Sequence, residues 1–285
     1  MFLTNQLKKS VVKEIANDVW LVEGYVGDNF LHEPPSSNCY VIRDGDTVYV
    51  FDPGYYPLYK SRILDIINRY KKAGVKHVTL LVSQGHFDHT ANNDVVLETG
   101  LDWDFLLPEP EIGTLRVYED LINDFSNLEE FENVYSTMFP WRGETAAIRV
   151  VDKISTDMAR KMFGLVAYRL MFPVQKRNLC DRAIILYLKD RVKRNYGSTE
   201  VVGWQIGRLF GIHDGAHSPG HLSLYDPENK ILFCGDVTVE VNPAFFYSSI
   251  DKLLIACDKF ITMAKEGNWK EAEAASFRFA EDQVR

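Results

Sequence analysis

Three short apolar strands in this chain each run into a turn that carries residues able to bind a metal, and no other feature restricts the fold as much. The first is Val78-Thr79-Leu80-Leu81-Val82, which leads into Ser83-Gln84-Gly85-His86-Phe87-Asp88-His89-Thr90. His86, Asp88 and His89 are too close together for one face of a strand and too irregular for one face of a helix, so they occupy a turn at a strand end. Imidazole and carboxylate together suit zinc, iron or manganese. Taken alone, the cluster fits equally well a pair of surface histidines with Asp88 capping a helix that starts near Thr90. The second stretch is Ile212-His213-Asp214-Gly215-Ala216-His217-Ser218-Pro219-Gly220-His221-Leu222-Ser223-Leu224-Tyr225, closed by a turn at Asp226 to Lys230. The third is Ile231-Leu232-Phe233-Cys234-Gly235-Asp236. Each places a ligand-capable residue in a Gly-rich turn beside a short strand, and that recurrence favours a shared site.

The chain has 285 residues, 46% of them hydrophobic and 13% aromatic, enough to bury a large core, and it reads as one domain over 1–285. Its formal net charge of -8 argues against nucleic acid or an anionic membrane as partner, since both call for a basic footprint. Cys39, Cys180, Cys234 and Cys257 are widely spaced with no C-x-x-C, which predicts buried free thiols in a reducing compartment. The stretch from Met1 to Lys9 lacks the apolar core of a secretory signal. The most apolar run, Met162 to Phe172, is too short to span a bilayer and contains Arg169. A soluble, cytoplasmic protein is the expectation.

Along the chain, Asp18 to Val22 reads as a strand and Gly24 to Pro35 as a loop. Cys39-Tyr40-Val41-Ile42 and Val48-Tyr49-Val50-Phe51 read as a hairpin around Asp44-Gly45. Asp52, before Pro53, has the character of a turn former. Ile63, Ile66, Ile67 and Tyr70 recur at helical spacing between Tyr59 and Ala73, with Gly74 as the stop. From Leu101 to Gln175 the pattern reads as helical, clearest over Asp120–Tyr135 and Asp157–Phe172, and suggests a helical insertion at about 107–175. Its stripe of Met158, Met162, Phe163, Val166 and Leu170 predicts a core or homo-oligomer contact, with a lid over an apolar substrate as the other reading. Ala183 to Leu188 returns to strand character. Lys189, Arg191, Lys193 and Arg194 after it read as a solvated hairpin end rather than an anion site. A helical C-terminal segment is expected over about 248–285. Its first helix runs from Ser248 to Lys265, with Ser248 and Asp251 as a capping box and Ile250, Leu253, Leu254, Cys257 and Ile261 facing inward; a second covers Trp269 to Gln283.

In combination and in this order, Phe51-Asp52-Pro53-Gly54, Ser83-x-x-His86-x-Asp88-His89, His217-Ser218-Pro219-Gly220-His221-x-Ser223-Leu224-Tyr225 and Leu232-Phe233-Cys234-Gly235-Asp236 resemble the metallo-β-lactamase superfamily. The resemblance covers about 18–240 and implies an α/β (α+β) fold, a four-layer αββα sandwich with a metal site at one edge. It places the metal ligands on His86, Asp88, His89, His217 and Asp236, with Asp52 as a carboxylate behind them and His221 as a buttress of the His217 loop. His213 matches no ligand position and reads as a structural or rim histidine. Two departures stand out. Gln84 occupies the position of the first metal histidine and offers an amide oxygen as a weaker ligand, and no histidine follows His221 to supply the last one. The first site then keeps His86, His217 and Asp236, and the second keeps Asp88, His89 and Asp236. Glu240, Glu271 and Glu273 are the residues available to replace the missing ligand.

The resemblance implies a hydrolase of an ester, thioester, lactone or amide in a small, partly apolar molecule. It would use a metal-bound hydroxide on one or two zinc ions, or iron or manganese, with Asp88 orienting the water or taking its proton. Tyr118, Phe139, Trp141, Met158 and Phe163 are available to line the substrate pocket. A metal-free or weakly metallated protein that binds a ligand or partner, and a non-haem iron oxidoreductase built on His86, His217 and Asp236, are the alternatives.

Overall fold

The computed structural model describes residues 11–24, 36–115, 179–238 and 249–267. Among them, β1 (Val12–Ala16), β2 (Val19–Val22), β3 (Cys39–Asp44), β4 (Thr47–Phe51), β5 (His77–Leu81), β6 (Asp102–Pro108) and β7 (Ile184–Leu186) lie side by side in chain order in one sheet. The pairs are antiparallel as far as β4 and parallel from β4 to β7. A second, antiparallel sheet holds β8 (Val192–Tyr196), β9 (Thr199–Ile206), β10 (Leu209–His213), β11 (Leu222–Asp226) and β12 (Ile231–Phe233), with β12 and β8 at its edges.

Strand alternation sorts the side chains into separate cores. On β3 and β4, Cys39, Val41, Val48 and Val50 face outward to helix α1 (Pro57–Lys72), whereas Tyr40, Ile42, Tyr49 and Phe51 face the other sheet. The second sheet repeats the pattern. Leu209, Leu222, Leu224 and Phe233 meet the first sheet, while Phe210, Ile212, Tyr225 and Leu232 meet helix α2 (Ile250–Gly267). Three apolar layers therefore separate helix, sheet, sheet and helix, the expected four-layer αββα order.

Parallel neighbours need a crossover, and α1 supplies the one between β4 and β5. Sixteen residues make only a marginal helix in water. Burial of Tyr59, Ile63, Ile66 and Ile67, at roughly 2 kcal/mol each, is what holds it in place. Tyr70 adds a polar tie, since Trp20 Nε1 donates to its hydroxyl at 2.9 Å. Tyr70→Phe leaves that indole N–H without its acceptor and should lower stability by about 1–2 kcal/mol. Urea unfolding of the two proteins, followed by Trp fluorescence, checks this; equal midpoints would show that the tie contributes nothing.

Three sequence expectations need correction. Asp102–Pro108 is a strand, not the start of a helical region; Phe105 and Leu107 fill the outer core, and the solvent-facing Asp102 at its start hides the strand pattern. Residues 111–115 are helical, but the rest of the expected insertion, with its apolar stripe and pocket residues, lies outside the described residues. The cap of α2 is Ser249, whose Oγ accepts from the Lys252 N–H; the proposed cap Ser248 is not among the described residues. The inward face of α2 is Ala256, Phe260 and Met263, with the expected Leu253 and Cys257 packed partly buried against the same core, while Ile250, Leu254 and Ile261 are more than half exposed. The helix expected over Trp269–Gln283 lies outside the described residues as well. Cys39, Cys180 and Cys234 are buried free thiols, as expected, and Cys257 is half-buried. No helix among the described residues is long and apolar enough to cross a membrane.

Candidate metal centre

All three Gly-rich turns open at the same end of the sandwich. β5 ends at Leu81 and β4 at Phe51, and their parallel pairing puts Asp52 beside the start of the 83–90 turn: Asp52 N–H donates to Leu81 O at 3.1 Å. Leu222 N–H donates to Ser83 O at 2.9 Å, which brings the loop between β10 and β11 to the same place from the other sheet. The turn after β12 then delivers Asp236.

Two groups of side chains result, His86 with His217 and Asp236, and Asp88 with His89 and Asp236. In each group the ligand-type atoms all lie within 4.8 Å of one another. His217 Nε2 stands 3.4 Å from His86 Nδ1 and 3.6 Å from Asp236 Oδ2. His89 Nε2 stands 3.1 Å from Asp236 Oδ2 and 3.6 Å from Asp88 Oδ2. Two ligands on a tetrahedral zinc with bonds of 2.0–2.1 Å are about 3.4 Å apart, so the residues present fit such an ion. Asp236 is the one residue common to both groups.

The charge states follow from burial and neighbours. Burial pushes His86 well below the ordinary histidine pKa and His217 down to about 4, leaving both imidazoles neutral. For His89 burial acts the same way, but Asp236, Asp88 and Asp52 outweigh it and hold the ring well above its ordinary value. Burial raises Asp88 to about 6. Asp236 resists its own burial because His89 beside it holds the carboxylate far below the usual range. The neutral imidazoles of His86 and His217 beside the ionised Asp236 carboxylate make a donor set that suits a divalent cation.

The residues behind the cluster are positioned as firmly. Asp52, fully buried, lies with Oδ2 2.9 Å from His89 Nδ1 and accepts from Ser83 N–H through Oδ1 at 2.7 Å. Its φ of 54° is in the left-handed region, so it is a strained turn residue as well as a buttress. His221 has a defined tautomer: Nε2 accepts from Asp236 N–H at 3.2 Å, which leaves the proton on Nδ1 facing Asp214 at 2.9 Å. It therefore braces Asp236 directly, and through His221 N–H to Ser218 O it also braces the His217 loop. His213 belongs to neither group; its ring joins Pro219 O at 2.9 Å to Arg191 at 2.7 Å.

Gln84 is fully buried. Its Nε2 lies 2.5 Å from Asp236 Oδ2 and 2.9 Å from His89 Nε2, while Oε1 is without a hydrogen-bond partner among the described residues. A buried carbonyl oxygen left over beside a ligand cluster is an atom with coordinating capacity. Glu240, Glu271 and Glu273 lie outside the described residues.

One buried carboxylate beside the cluster escaped sequence reasoning. Glu111, fully buried at the start of the 111–115 helical turn, accepts from Gly85 N–H, Ser218 Oγ and Gly220 N–H. Only its place after a strand end, in Pro108-Glu109-Pro110-Glu111, was available as a signal.

Comparison with known proteins agrees with the fold. The family model for the metallo-beta-lactamase superfamily matches residues 32–100 and 143–274. The DIM-1 metallo-beta-lactamase exposed to ceftazidime is 10% identical with a TM-score of 0.51, over 93% of this chain and 88% of that one. A metallo-beta-lactamase from Pontibacter korlensis is 12% identical with a TM-score of 0.50, over 93% and 90%. At that identity the likeness concerns the fold. The search of curated proteins found no match.

Proposed function

Because the chain belongs to the metallo-beta-lactamase superfamily, broadly a group of metallo-hydrolases, we propose that it hydrolyses an ester, thioester, lactone or amide bond in a small, partly apolar molecule with zinc as cofactor. The observation that carries this reading is the convergence of His86, His217 and Asp236 at ligand-to-ligand spacing, with a second group, Asp88 and His89, sharing the same carboxylate. His86, His217 and Asp236 would hold the ion, and Asp88 and His89 would complete a second position with Asp236. When bound, zinc supplies Lewis acidity toward a carbonyl and acidifies water.

The protein's own groups do the rest. Asp88, partly exposed beside the buried His89 and not shared between the two groups, is the carboxylate placed to take the proton of the attacking water. Asp52 and His221 keep His89 and Asp236 in place while that happens. Gln84 occupies the space where an imidazole would strengthen the set, so one tightly held ion is expected rather than two.

Elemental mass spectrometry of protein purified without added metal or chelator tests the reading, with about one zinc per chain expected. Gln84→His should raise zinc affinity about tenfold or more, since imidazole is the better ligand for this ion. Iron in place of zinc would redirect the substrate screen to oxygen-dependent chemistry. No metal on purification, and none taken up from zinc, manganese or iron, would sink the hydrolase and leave a ligand-binding protein on the same fold.

A further inference from the structure

Glu111 stands outside both ligand groups, yet it joins the two loops that supply their histidines. Its Oε2 accepts from Gly85 N–H at 2.7 Å, next to His86. Its Oε1 accepts from Ser218 Oγ at 2.6 Å and from Gly220 N–H at 2.8 Å, either side of Pro219 and directly after His217. The carboxylate is fully buried, and these three donors converge on its two oxygens. A buried carboxylate is costly to desolvate unless it is held by such donors, so its presence between the loops calls for an explanation beyond filling space.

The glycines on either side show how closely the parts fit. A Cβ on Gly220 would come within 2.8 Å of Glu111 Cγ, and a Cβ on Gly85 would meet Thr114 Cβ at 2.8 Å and Leu115 N at 2.9 Å. Both loops therefore rest against one helical turn with no room for a side chain between, and the turn belongs to the segment that follows β6 in the first sheet. The His217 loop comes from the second sheet. Glu111, which touches neither imidazole, therefore ties the two loops across the sheets alongside the Leu222 N–H to Ser83 O bond, with His86 Nδ1 and His217 Nε2 3.4 Å apart.

We propose that Glu111 is a positioning residue that fixes the spacing of the His86 and His217 loops and thereby sets the affinity and geometry of the metal site. This rests on the reading of that site as metal-binding. A ligand pair held at its coordination distance loses less freedom when the ion arrives, so the clamp acts on metal binding as well as on stability.

Cobalt(II) titration of the apo protein tests it, because the visible absorption of cobalt reports coordination geometry without any substrate. Glu111→Gln turns one acceptor into a donor facing Gly85 N–H or the Ser218 and Gly220 donors; it should weaken cobalt binding about 10–100-fold and change the position or intensity of the visible bands. Ser218→Ala removes one of the three donors and should change the spectrum in the same direction, with a loss of about threefold or more. Asp226→Asn is the control for a purely structural effect. That carboxylate is equally buried and binds Arg208 at 2.8 Å, away from the ligand loops, so the variant should melt earlier with an unaltered cobalt spectrum and affinity.

A Glu111→Gln protein that folds and binds cobalt with wild-type affinity and spectrum overturns the proposal while leaving the metal site intact. If that variant does not fold, an unchanged spectrum and affinity in Ser218→Ala overturns it instead. Failure of the wild-type protein to bind cobalt at all overturns both the clamp and the metallo-hydrolase reading.

Discussion

Asp236→Asn is expected to leave the purified protein with less than a tenth of the wild-type metal content and to lower any hydrolytic activity about 10³-fold, the equivalent of roughly 4 kcal/mol of lost transition-state stabilisation. The reason is its place in the cluster. Its Oδ2 lies 3.1 Å from His89 Nε2 and 3.6 Å from His217 Nε2, so the substitution removes the only negative charge common to both groups. The amide that replaces it keeps the shape and one weak donor oxygen. His86→Ala touches just one group, and the two variants together locate the ion. If both lose metal, it sits with His86 and His217; if only Asp236→Asn does, it sits with Asp88 and His89. Metal analysis of the two proteins beside the wild type reads this directly. Full metal content in Asp236→Asn would remove the proposed centre altogether.

Much of this geometry was legible before any coordinates, and the reason is local. The hairpin of β3 and β4 is written in two short apolar runs around Asp44-Gly45, and α1 in the spacing of Ile63, Ile66, Ile67 and Tyr70, patterns that depend on neighbours within one element. The ligand turns were legible for another reason: one such cluster alone is ambiguous, but three Gly-rich turns with ligand-capable residues, each beside a short strand, recur in one order along the chain. The charges of 189–194 read as a solvated hairpin end, and β8 and β9 do pair as a hairpin, with Lys193 against Glu200. The strand bounds escaped because β8 is exposed along nearly all its length and shows no apolar face. Helix α2 carries apolar residues on most of its sides, so the periodicity could not choose between the Ile250, Leu254 and Ile261 side and the Ala256, Phe260 and Met263 side that the second sheet selected. Glu111 is the limiting case. Nothing within five residues of it distinguishes a buried clamp from a surface carboxylate; its role exists only once β6 and the β10–β11 loop have been brought together from separate sheets.

Asp52 offers the second large effect, and a pair of substitutions separates its parts. The carboxylate and the His89 ring are buried together, 1% and 0% exposed, and His89 is held charged by Asp236, Asp88 and Asp52 against the cost of burial. Breaking a buried pair from one side typically costs about 3–5 kcal/mol, because the remaining charge has lost its partner. Here Asp88 and Asp236 still face the ring from its Nε2 side, so Asp52→Asn should fall at the lower end, near 3 kcal/mol. An asparagine oxygen can still accept from His89 Nδ1, but its amide then meets Ser83 N–H donor to donor. Asp52→Ala loses both acceptors and adds a backbone term, since alanine tolerates a φ of 54° less well than aspartate or asparagine do, by roughly 1 kcal/mol. The order of stability in urea should therefore be wild type, then Asp52→Asn, then Asp52→Ala. Because Asp52 orients His89, zinc affinity at the Asp88, His89 and Asp236 group should fall about 10–100-fold in both variants, and by a similar factor in each, since neither keeps the carboxylate behind the ring. Wild-type stability in Asp52→Ala would mean that His89 sheds its proton and stays neutral without help. Wild-type zinc affinity in both variants would mean that the ion rests on His86 and His217, with His89 left to hold Asp236 in place.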